Sequence, residues 1–436
     1  MQTKKNKQIN VITLGCSKNL VDSEYLMKQL VSNGYSVLHN SNTPSEIVII
    51  NTCGFIKDAK QESIETILQF EELKEQNKIE KLIVFGCLSE RYKNELENEI
   101  PSVDQYFGVY NHRELIEYLN GTYRHQLIGE REVTTPKHYA YLKISEGCNR
   151  KCAFCAIPLI KGKHQSKPIE QLVSESKLLV KNGAKELILI AQDLSYYGYD
   201  LYKTSKLAEL ISQISDIKGL KWIRLHYTYP ALFPDNILHL MQSKSNICKY
   251  LDIPVQHISD KLLKMMQRGH SKQDTYNLIE KIRKEVPDIA LRTTLMVGHP
   301  GETDEDFNEL IDFVKFAKFE RLGVFTYSEE EDTYSAMNYK DDIPFSVKQA
   351  RMNELMEVQQ EISNELNQNK IGGLFKVLID RKEGEYYVGR TQYDSPEVDN
   401  EVIINSSGKK LRIGSFYTIK ITKADDFDLY GTIKSK

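Results

Sequence analysis

Three apolar runs near the amino terminus constrain the fold of this part of the chain. Each run is long enough for one buried strand and ends in a cysteine: NVITLGC (10–16), EIVIINTC (46–53) and KLIVFGC (81–87). Helical patterns separate the runs, as in VDSEYLMKQLVSNG (21–34) and DAKQESIETILQFEELKEQN (58–77). Because strands that alternate with helices form parallel sheets, we predict a doubly wound parallel α/β domain over residues 1–130.

The strand–helix alternation continues in the middle of the chain. Six further strand candidates are YAYLKIS (139–145), ELILIA (186–191), KWIRLH (221–226), YLDIP (250–254), IALRTTLMV (289–297) and RLGVFTY (321–327). About six such units predict a partial (β/α) barrel, whose chemistry belongs at the carboxyl ends of the strands. A long helix follows, with Ser346 and Gln349 as a possible capping box and Gly372-Gly373 at its end. The predicted domain spans 134–370.

The last part of the chain changes to a period of two. Five short runs show this pattern: FKVLID (375–380), YYVGRT (386–391), EVIIN (401–405), FYTIKIT (416–422) and LYGTIK (429–434). Such runs, separated by turn residues, predict a small all-β barrel or OB-like module over 371–436. The complete chain is therefore expected to be a mixed α/β protein of three domains.

Composition excludes several classes of protein. The net charge of −3 over 436 residues gives no general attraction to nucleic acid or to acidic membranes. The first ten residues, MQTKKNKQIN, lack the apolar segment of a signal peptide, and no apolar run reaches membrane-spanning length. Seven cysteines, an odd number, favour reduced thiols that act as ligands over a disulfide framework. We expect a cytoplasmic protein without a membrane partner.

One short segment, EGCNRKCAFCAIP (146–158), carries Cys148, Cys152 and Cys155 in the spacing C-x-x-x-C-x-x-C. Three thiolates are one short of the set that closes a [4Fe–4S] cluster, so one iron is left open. The amine and carboxylate of S-adenosylmethionine can chelate that iron, and one electron into the sulfonium would release a 5′-deoxyadenosyl radical. Zinc is less favoured because no further Cys or His follows at zinc-finger spacing, and His164 is remote.

The other strand-end cysteines, Cys16, Cys53 and Cys87, form a second group. Parallel strands place their carboxyl ends along one crevice, so these three residues should lie at one edge of the sheet. A single cysteine at a strand end usually only packs, but three at successive strand ends indicate a second [4Fe–4S] cluster with an open iron. Adjacent glycines would allow the backbone to approach a bulky cluster.

These motifs resemble a known family. The segment C-x-x-x-C-x-aromatic-C, with Phe154 as the aromatic residue, is similar to that of the radical S-adenosylmethionine superfamily. The order of the three parts resembles the methylthiotransferases, with a C-terminal module of the TRAM type. The resemblance implies two [4Fe–4S] clusters and two molecules of S-adenosylmethionine, one for the radical and one for a methyl group. It also implies an external electron donor and a sulfur source.

Four stretches resemble the protein-modifying, RimO-type branch of this family: ITLGCSKNLVDSE (12–24), NTCGFIKDAKQES (51–63), RLHYTYP (224–230) and LDIPVQHISDKLLKMMQRG (251–269). The implied substrate is the β-carbon of an aspartate in small-subunit ribosomal protein number twelve. The alternative is the branch that modifies an adenosine of transfer RNA. Residues 372–436 hold 11 Lys and Arg against 10 Asp and Glu, so direct nucleic-acid binding is not expected.

The resemblance also implies roles for individual residues. Cofactor contacts are expected from Phe154, Gln192, Asp193, Gln256, Arg268 and Gly298. Arg292 is the candidate that faces the substrate carboxylate, with a structural ion pair as its alternative. The acidic runs EEED (329–332) and DDFD (425–428) are candidates for contact with a basic target, or are solvated loops. The chain departs from the family at Lys161, where arginine is common, and at His299.

Two other classes of protein stay open on the sequence alone. A non-catalytic iron–sulfur carrier would explain six cysteines but not the barrel with its cofactor-lining stretches. A zinc-stapled binding module at the ribosome is the second such class.

Overall fold

The computed structural model describes residues 7–43, 45–406 and 408–434. These form two compact units. Unit 1 holds the described residues up to 135 together with 141–150 and 155–178, and unit 2 holds 136–140, 151–154 and the described residues from 179 onward. The predicted domain ranges stay a prediction, and residues 1–6 of the expected signal-free N-terminus lie outside the described part. No helix in that part is long and apolar enough to cross a membrane.

Unit 1 contains a five-stranded parallel sheet. Its strands are β1 (Gln8–Thr13), β2 (Ser36–His39), β3 (Ile47–Thr52), β4 (Lys81–Gly86) and β5 (Gln105–Phe107), in the order β2-β1-β3-β4-β5. The helices between and after them are α1 (Ser17–Ser32), α2 (Lys57–Glu75), α3 (Cys87–Arg91), α4 (Lys93–Glu99) and α5 (His112–Tyr118). All pairings between neighbouring strands are parallel, which confirms the predicted fold class.

Both faces of this sheet are buried. Ile47 and Ile49 of β3 pack in one hydrophobic cluster, whereas Val48 and Ile50 pack in another on the opposite face. This alternation is the period of a strand, and it explains why the run is apolar throughout. Unit 1 also contains a short antiparallel strand pair that flanks Cys148 and Cys155, and helical segments that follow Cys155.

The chain continues through β6 (Tyr139–Lys143), β7 (Ser145–Glu146), α6 (Ile157–Lys161), β8 (Gln165–Ser166) and α7 (Ile169–Lys181). The strands that follow are β9 (Glu186–Ile190), β10 (Trp222–Leu225), β11 (Ile247–Asp252), β12 (Ala290–Val297) and β13 (Arg321–Thr326). A six-stranded sheet has the order β13-β12-β11-β10-β9-β6. All six predicted strands are present, and the sheet keeps two edges, as expected of a partial barrel.

The helices of unit 2 are α8 (Tyr199–Tyr202), α9 (Leu207–Ser215), α10 (Asn236–Ser243), α11 (Asp260–Met265), α12 (Lys272–Glu285), α13 (Asp304–Ala317), α14 (Tyr334–Asn338) and α15 (Phe345–Gln368). Thr303 caps α13 through a capping box with Asp306. The capping box predicted at Ser346 is wrong. Helix α15 begins directly after Pro344, whose fixed φ sets the helix start without a side-chain cap.

The C-terminal module is a closed barrel of five strands. They are β14 (Leu374–Glu383), β15 (Tyr386–Arg390), β16 (Val402–Asn405), β17 (Phe416–Ala424) and β18 (Leu429–Ile433), in the order β14-β15-β16-β18-β17. Its core contains one alternating pair from each of three strands: Val377 and Ile379, Val402 and Ile404, and Ile419 and Ile421. The predicted all-β module is confirmed.

A buried charge network joins this module to the six-stranded sheet within unit 2. The Glu186 carboxylate lies 2.8 Å from Arg224 Nε and 2.9 Å from Arg390 Nη1. All three side chains are almost completely buried, at 0–2% exposure. Arg390 also binds Asp380 at 2.7 Å, and Arg224 Nη1 donates to the Gln392 carbonyl at 2.9 Å. The network therefore balances charges that neither element could bury alone.

Replacing Glu186 with Gln should destabilise the protein by roughly 3–5 kcal/mol, because two guanidinium groups lose the carboxylate between them. Urea denaturation at equilibrium measures this change. The control is Asp216→Asn, which removes the mostly exposed ion pair with Lys244 and should change stability by less than about 0.5 kcal/mol. Equal effects of the two substitutions would contradict a supporting role for the network.

Candidate active site

The first cysteine group lies at the carboxyl edge of the five-stranded sheet. Cys16 directly precedes α1, Cys53 follows β3, and Cys87 begins α3 after β4. A Cβ atom added to Gly15, where φ is +85°, would lie only 2.7 Å from Cys53 Cβ and 3.0 Å from its Sγ. Gly15 is thus in close contact with Cys53. Only glycine permits this approach, because any other residue would place a Cβ atom against the cysteine side chain. Cys16 is exposed, whereas Cys53 and Cys87 are buried.

Asn19 ties these strand ends together. Its Nδ2 donates to the carbonyls of Leu14 at 3.0 Å and Thr52 at 3.1 Å, and Cys87 Sγ donates to its Oδ1 at 3.7 Å. Asn51 Nδ2 in turn donates to the Asn19 carbonyl at 2.8 Å. Sequence reasoning missed Asn19, although its position three residues after Cys16 was a usable signal. The hydrogen bonds of Asn19 order the backbone around the three cysteines.

Burial disfavours the ionised form of two thiols in this group. Burial raises the pKa of the Cys87 thiol to about 12 and also raises the pKa of Cys53. In both cases the charges of neighbouring cysteines raise the pKa further, so the sulfurs lie close enough to repel as thiolates. A positive centre beside Cys53 and Cys87 would lower both pKa values and favour the thiolates.

The three sulfurs of this group are compatible with the ligands of a cluster. In residues 7–43, 45–406 and 408–434, no three His, Cys, Asp or Glu side chains converge as around one metal ion. A [4Fe–4S] cluster does not require such convergence, because its thiolates bind different irons. The three-cysteine group is compatible with that larger centre, since glycines beside the cysteines add no side chains to the space around them.

A buried cluster of four charges lies beside the first cysteine group. Lys161 Nζ is 3.4 Å from Asp22 Oδ2 and 3.5 Å from Glu146 Oε1, and Lys143 binds both carboxylates. Burial alone would raise the pKa of Asp22, but Lys143 and Lys161 outweigh it and hold this pKa well below its usual range. The Lys161 charge also lowers the pKa of Cys87. The wall of a cavity of about 340 Å³ includes three of the four charged residues.

Helix α6 explains how Lys161 reaches this place. The helix begins two residues after Cys155 and packs against α3, which Cys87 begins. Cys87 shares a hydrophobic cluster with Ala156 and Ile160, both from the segment after the second cysteine loop. Lys161 was noted in the sequence only as a departure from a common arginine. In the structure its charge lowers the pKa of Cys87.

The second cysteine loop is divided between the units, with Cys148 and Cys155 in unit 1 and Cys152 in unit 2. In unit 1, the Arg150 amide donates to Cys148 Sγ at 3.4 Å. In unit 2, Arg268 Nη1 lies 3.2 Å from Cys152 Sγ, and its guanidinium stacks 4.2 Å from the centre of the Tyr229 ring. Arg268 is therefore placed to neutralise a Cys152 thiolate.

Two predicted cofactor residues follow β9. Asp193 is buried and accepts a hydrogen bond from the Ser195 amide at 2.8 Å, which caps the short 3₁₀ turn Leu194–Tyr196. Gln192, two residues beyond the end of β9, is half-buried, as is Phe154 in the cysteine loop. The Asp193 side chain thus has a local structural partner. Cofactor contacts by these three residues stay a prediction.

Gln256 and Gly298 also lie at strand ends of unit 2. Gln256 has a positive φ of +71°, and its backbone bonds to Thr294 and Met296 join it to β12. The Gly298 amide donates to Glu302 Oε2 at 2.7 Å, and a Cβ at this position would lie 2.3 Å from Lys348 Cγ. Both backbones are fixed in place, and their cofactor contacts stay a prediction.

Arg292 has two carboxylate partners inside the protein. Its Nη1 is 3.4 Å from Asp252 Oδ1, and its Nε is 3.4 Å from Asp399 Oδ1. Both carboxylates are almost completely buried. This arrangement is the structural ion pair that the sequence left as the alternative. Its contact with a substrate carboxylate stays a prediction.

Sequence reasoning missed Glu302, which is buried at the carboxyl side of β12. Its Oε1 accepts from Arg351 Nη1 at 2.8 Å, and its Oε2 is 3.7 Å from His257 Nε2. Burial raises the pKa of Glu302 to about 7 and lowers the pKa of His257 to about 3. The stretch GHPGE, with two glycines beside a histidine, was the available signal.

Family models match most of the chain. The model described as Uncharacterized protein family UPF0004 matches residues 8–108, the Radical SAM superfamily model matches 142–314, and the TRAM domain model matches 371–433. Proteins named ribosomal protein uS12 methylthiotransferase RimO are similar over nearly the full length. That of Bacteroides thetaiotaomicron is 60% identical over 99% of both chains. That of Christiangramia forsetii is 57% identical over 99% of this chain and 96% of its own.

The chain belongs to the RimO family of uS12 methylthiotransferases. A third member, from Parabacteroides distasonis, is 55% identical over 99% of each chain. The resemblance to the radical S-adenosylmethionine methylthiotransferases and to their RimO-type branch is thereby confirmed. Both cysteine groups lie inside regions that family models match, the first in 8–108 and the second in 142–314.

Solved structures support the fold alone. The radical S-adenosylmethionine methyltransferase TsrM from Kitasatospora setae aligns with a TM-score of 0.56 at 14% identity, over 76% of this chain and 77% of its own. The cobalamin-dependent radical enzyme OxsB aligns with a TM-score of 0.53 at 13% identity, over 82% of this chain and 56% of its own.

Replacing Lys161 with Met should destabilise the metal-free protein by roughly 3–5 kcal/mol, because Asp22 and Glu146 then share one buried cation instead of two. Urea denaturation under reducing conditions measures the loss. Lys161→Arg keeps the charge and should recover most of the stability. A Lys161→Met protein as stable as the wild type would show that this cation is not needed for the buried carboxylates.

Proposed function

We propose that this protein replaces a C–H bond on the β-carbon of an aspartate in ribosomal protein uS12 with a methylthio group. The observation that carries the proposal is the 55–60% identity, over nearly the whole chain, to proteins named as uS12 methylthiotransferases. The chain contains both cysteine groups, the barrel and the TRAM module.

The cofactors are two [4Fe–4S] clusters and S-adenosylmethionine. Cys148, Cys152 and Cys155 would hold one cluster, and Cys16, Cys53 and Cys87 the other. Bound together, cluster and S-adenosylmethionine supply a radical that attacks an unactivated C–H bond, which no acid–base side chain achieves at neutral pH. Neither three-thiolate set closes a cluster, so each leaves an iron for a ligand from outside the protein.

The chain's own residues prepare these sites. Arg268 stabilises negative charge on Cys152, and its stacking on Tyr229 fixes the guanidinium plane. Asn19 orders the backbone around the first cysteine group, and Lys161 offsets thiolate charge at Cys87. These contacts orient and neutralise ligands, which is the usual role of side chains around a metal centre.

Partners and location follow from this chemistry. The reaction needs an electron donor and a sulfur source that the chain does not contain. A ribosomal-protein substrate and reduced thiols favour the cytoplasm, which we include in the proposal. The alternative of a transfer-RNA substrate is less favoured, because the curated relatives carry the name of the protein substrate and the C-terminal module is nearly neutral.

Anaerobic iron and sulfide quantitation, combined with product analysis, tests the proposal. Two complete clusters correspond to about eight irons and eight sulfides per wild-type chain. The Cys16→Ala/Cys53→Ala/Cys87→Ala variant should retain about half and still form 5′-deoxyadenosine, but give no methylthio product on purified uS12. The Cys148→Ala/Cys152→Ala/Cys155→Ala variant should form neither product.

Failure of the wild-type enzyme to increase the mass of uS12 by one methylthio group would contradict the proposal. An iron content of about one cluster in the wild type, with the same iron content in one of the two triple-cysteine variants, would also contradict it.

Arg268→Met should slow 5′-deoxyadenosine formation about 10- to 100-fold, because the sulfur of Cys152 loses its charged hydrogen-bond donor. The matched Arg268→Lys variant keeps the charge but not the planar group that stacks on Tyr229. Its rate of 5′-deoxyadenosine formation should lie between those of the wild type and Arg268→Met. Iron content and electron paramagnetic resonance check that both clusters remain. A normal rate in Arg268→Met would exclude this role.

A further inference from the structure

Residues 329–347 form an acidic and apolar surface, here named the 329–347 surface. It comprises the loop after β13, helix α14 and the start of α15. Six acidic residues stand against one lysine in this segment, while the whole chain has a net charge of only −3. Five of the acidic residues are exposed: Glu329, Glu331, Asp332, Asp341 and Asp342. Negative charge is therefore concentrated here.

Large apolar side chains are exposed in the same segment. Met337 is 68% exposed and Phe345 is 71% exposed, and Tyr334 is 44% exposed. Tyr334 and Met337 lie three residues apart on α14, so they project from one side of that helix. Exposed apolar groups rimmed by charges mark interaction sites more often than ordinary surface.

The surface is held in place by hydrogen bonds at its base. The Ser335 amide donates to the Ala153 carbonyl at 2.7 Å, and its hydroxyl lies 3.1 Å from His299 Nε2. Thr333 caps α14, and Lys348 binds Asp341 at 2.6 Å at the other end. A preformed surface loses little conformational entropy when it binds a partner.

The 329–347 surface lies beside the cysteine loop of the barrel. Ala153 directly follows Cys152 in the cysteine loop, so the hydrogen bond from Ser335 fixes the surface to that loop. The segment also begins where β13 ends, on the side of a (β/α) barrel that carries the chemistry. A partner bound here would lie next to the reactive loop.

The other acidic run of the sequence has a different use. Asp426 accepts from Gln360 Nε2 at 2.6 Å, and its carbonyl accepts from Ser363 Oγ at 2.6 Å. Asp425 accepts from the Asp428 amide at 2.7 Å and from Tyr430 at 2.8 Å. This run joins the module to α15 and closes a turn, so its acidic groups serve the fold.

We propose that the 329–347 surface docks the substrate protein uS12 through charge complementarity. This inference rests on the proposed function. A ribosomal protein binds RNA phosphates through lysine and arginine, so it carries the charge that the acidic residues attract. A nucleic acid would be repelled, and a second copy of this chain would bring the same negative surface. Met337 and Phe345 supply the apolar contacts of the docked complex.

Kinetics on the reconstituted holoenzyme, with dithionite as reductant and purified uS12, test the acidic part. The variant is Glu329→Gln/Asp332→Asn/Asp342→Asn; asparagine is chosen at 332 because φ is +59° there. The control is Glu354→Gln/Glu357→Gln/Glu361→Gln, which neutralises three exposed carboxylates on α15. We expect the KM for uS12 to rise about tenfold in the variant, with kcat unchanged and the control within about twofold of the wild type. With increasing salt concentration, the KM of the wild type should also rise more steeply than the KM of the acidic-surface variant.

The apolar part has its own pair of variants. Met337→Ser/Phe345→Ser should raise the KM for uS12 with little change in salt dependence. The control Leu374→Ser/Phe427→Ser removes side chains of the C-terminal module that are 49% and 54% exposed, and it should leave the KM unchanged. Formation of 5′-deoxyadenosine without uS12 should be equal in all four variants.

An acidic variant with the KM of its control would overturn the inference. So would a loss of uS12-independent 5′-deoxyadenosine, which would assign the surface to support of the cysteine loop. An effect seen only with a protein reductant would assign it to the electron donor. If the proposed function itself fails, the wild type gives no methylthio-uS12; if only docking fails, wild type and variants modify uS12 with equal KM.

Discussion

The parallel direction of the strands is the constraint on which this protein depends. A parallel sheet must present all its carboxyl ends along one edge, so residues far apart in sequence meet there. In unit 1 this edge collects Cys16, Cys53 and Cys87, and Asn19 bonds the strand ends together. In unit 2 the same rule places the ends of β9, β12 and β13 on one side, with Gln192, Gly298 and the 329–347 surface. Neither sheet needs an unusual fold to bring chemistry to one edge.

Burial of paired charges is the second theme of the structure. Lys143, Asp22, Glu146 and Lys161 neutralise one another beside the first cysteine group. Glu186 does the same between two arginines beneath the C-terminal module. Such clusters are expensive to bury and fail when one member is lost, so they specify one arrangement of the elements that carry them. The Lys161 charge also lowers the pKa of Cys87, against the effect of burial.

Sequence patterns predicted the elements that have strong periodicity. The apolar strands are local in origin, and the structure contains them. The predicted capping box at Ser346 was wrong because Pro344 already determines where α15 begins. Partners distant in sequence could not be predicted. The two carboxylates of Arg292 lie 40 and 107 positions away, and Lys161 reaches Asp22 only through the packing of α6 on α3.

The central claim is that this chain modifies uS12 with chemistry that needs both cysteine groups. Mass spectrometry of uS12 from cells that lack the gene tests it most directly. The account predicts that the methylthio mass shift is absent in these cells and returns with the wild-type gene, but with neither triple-cysteine variant. Persistence of the shift in cells without the gene, or its return with either variant, would contradict the account.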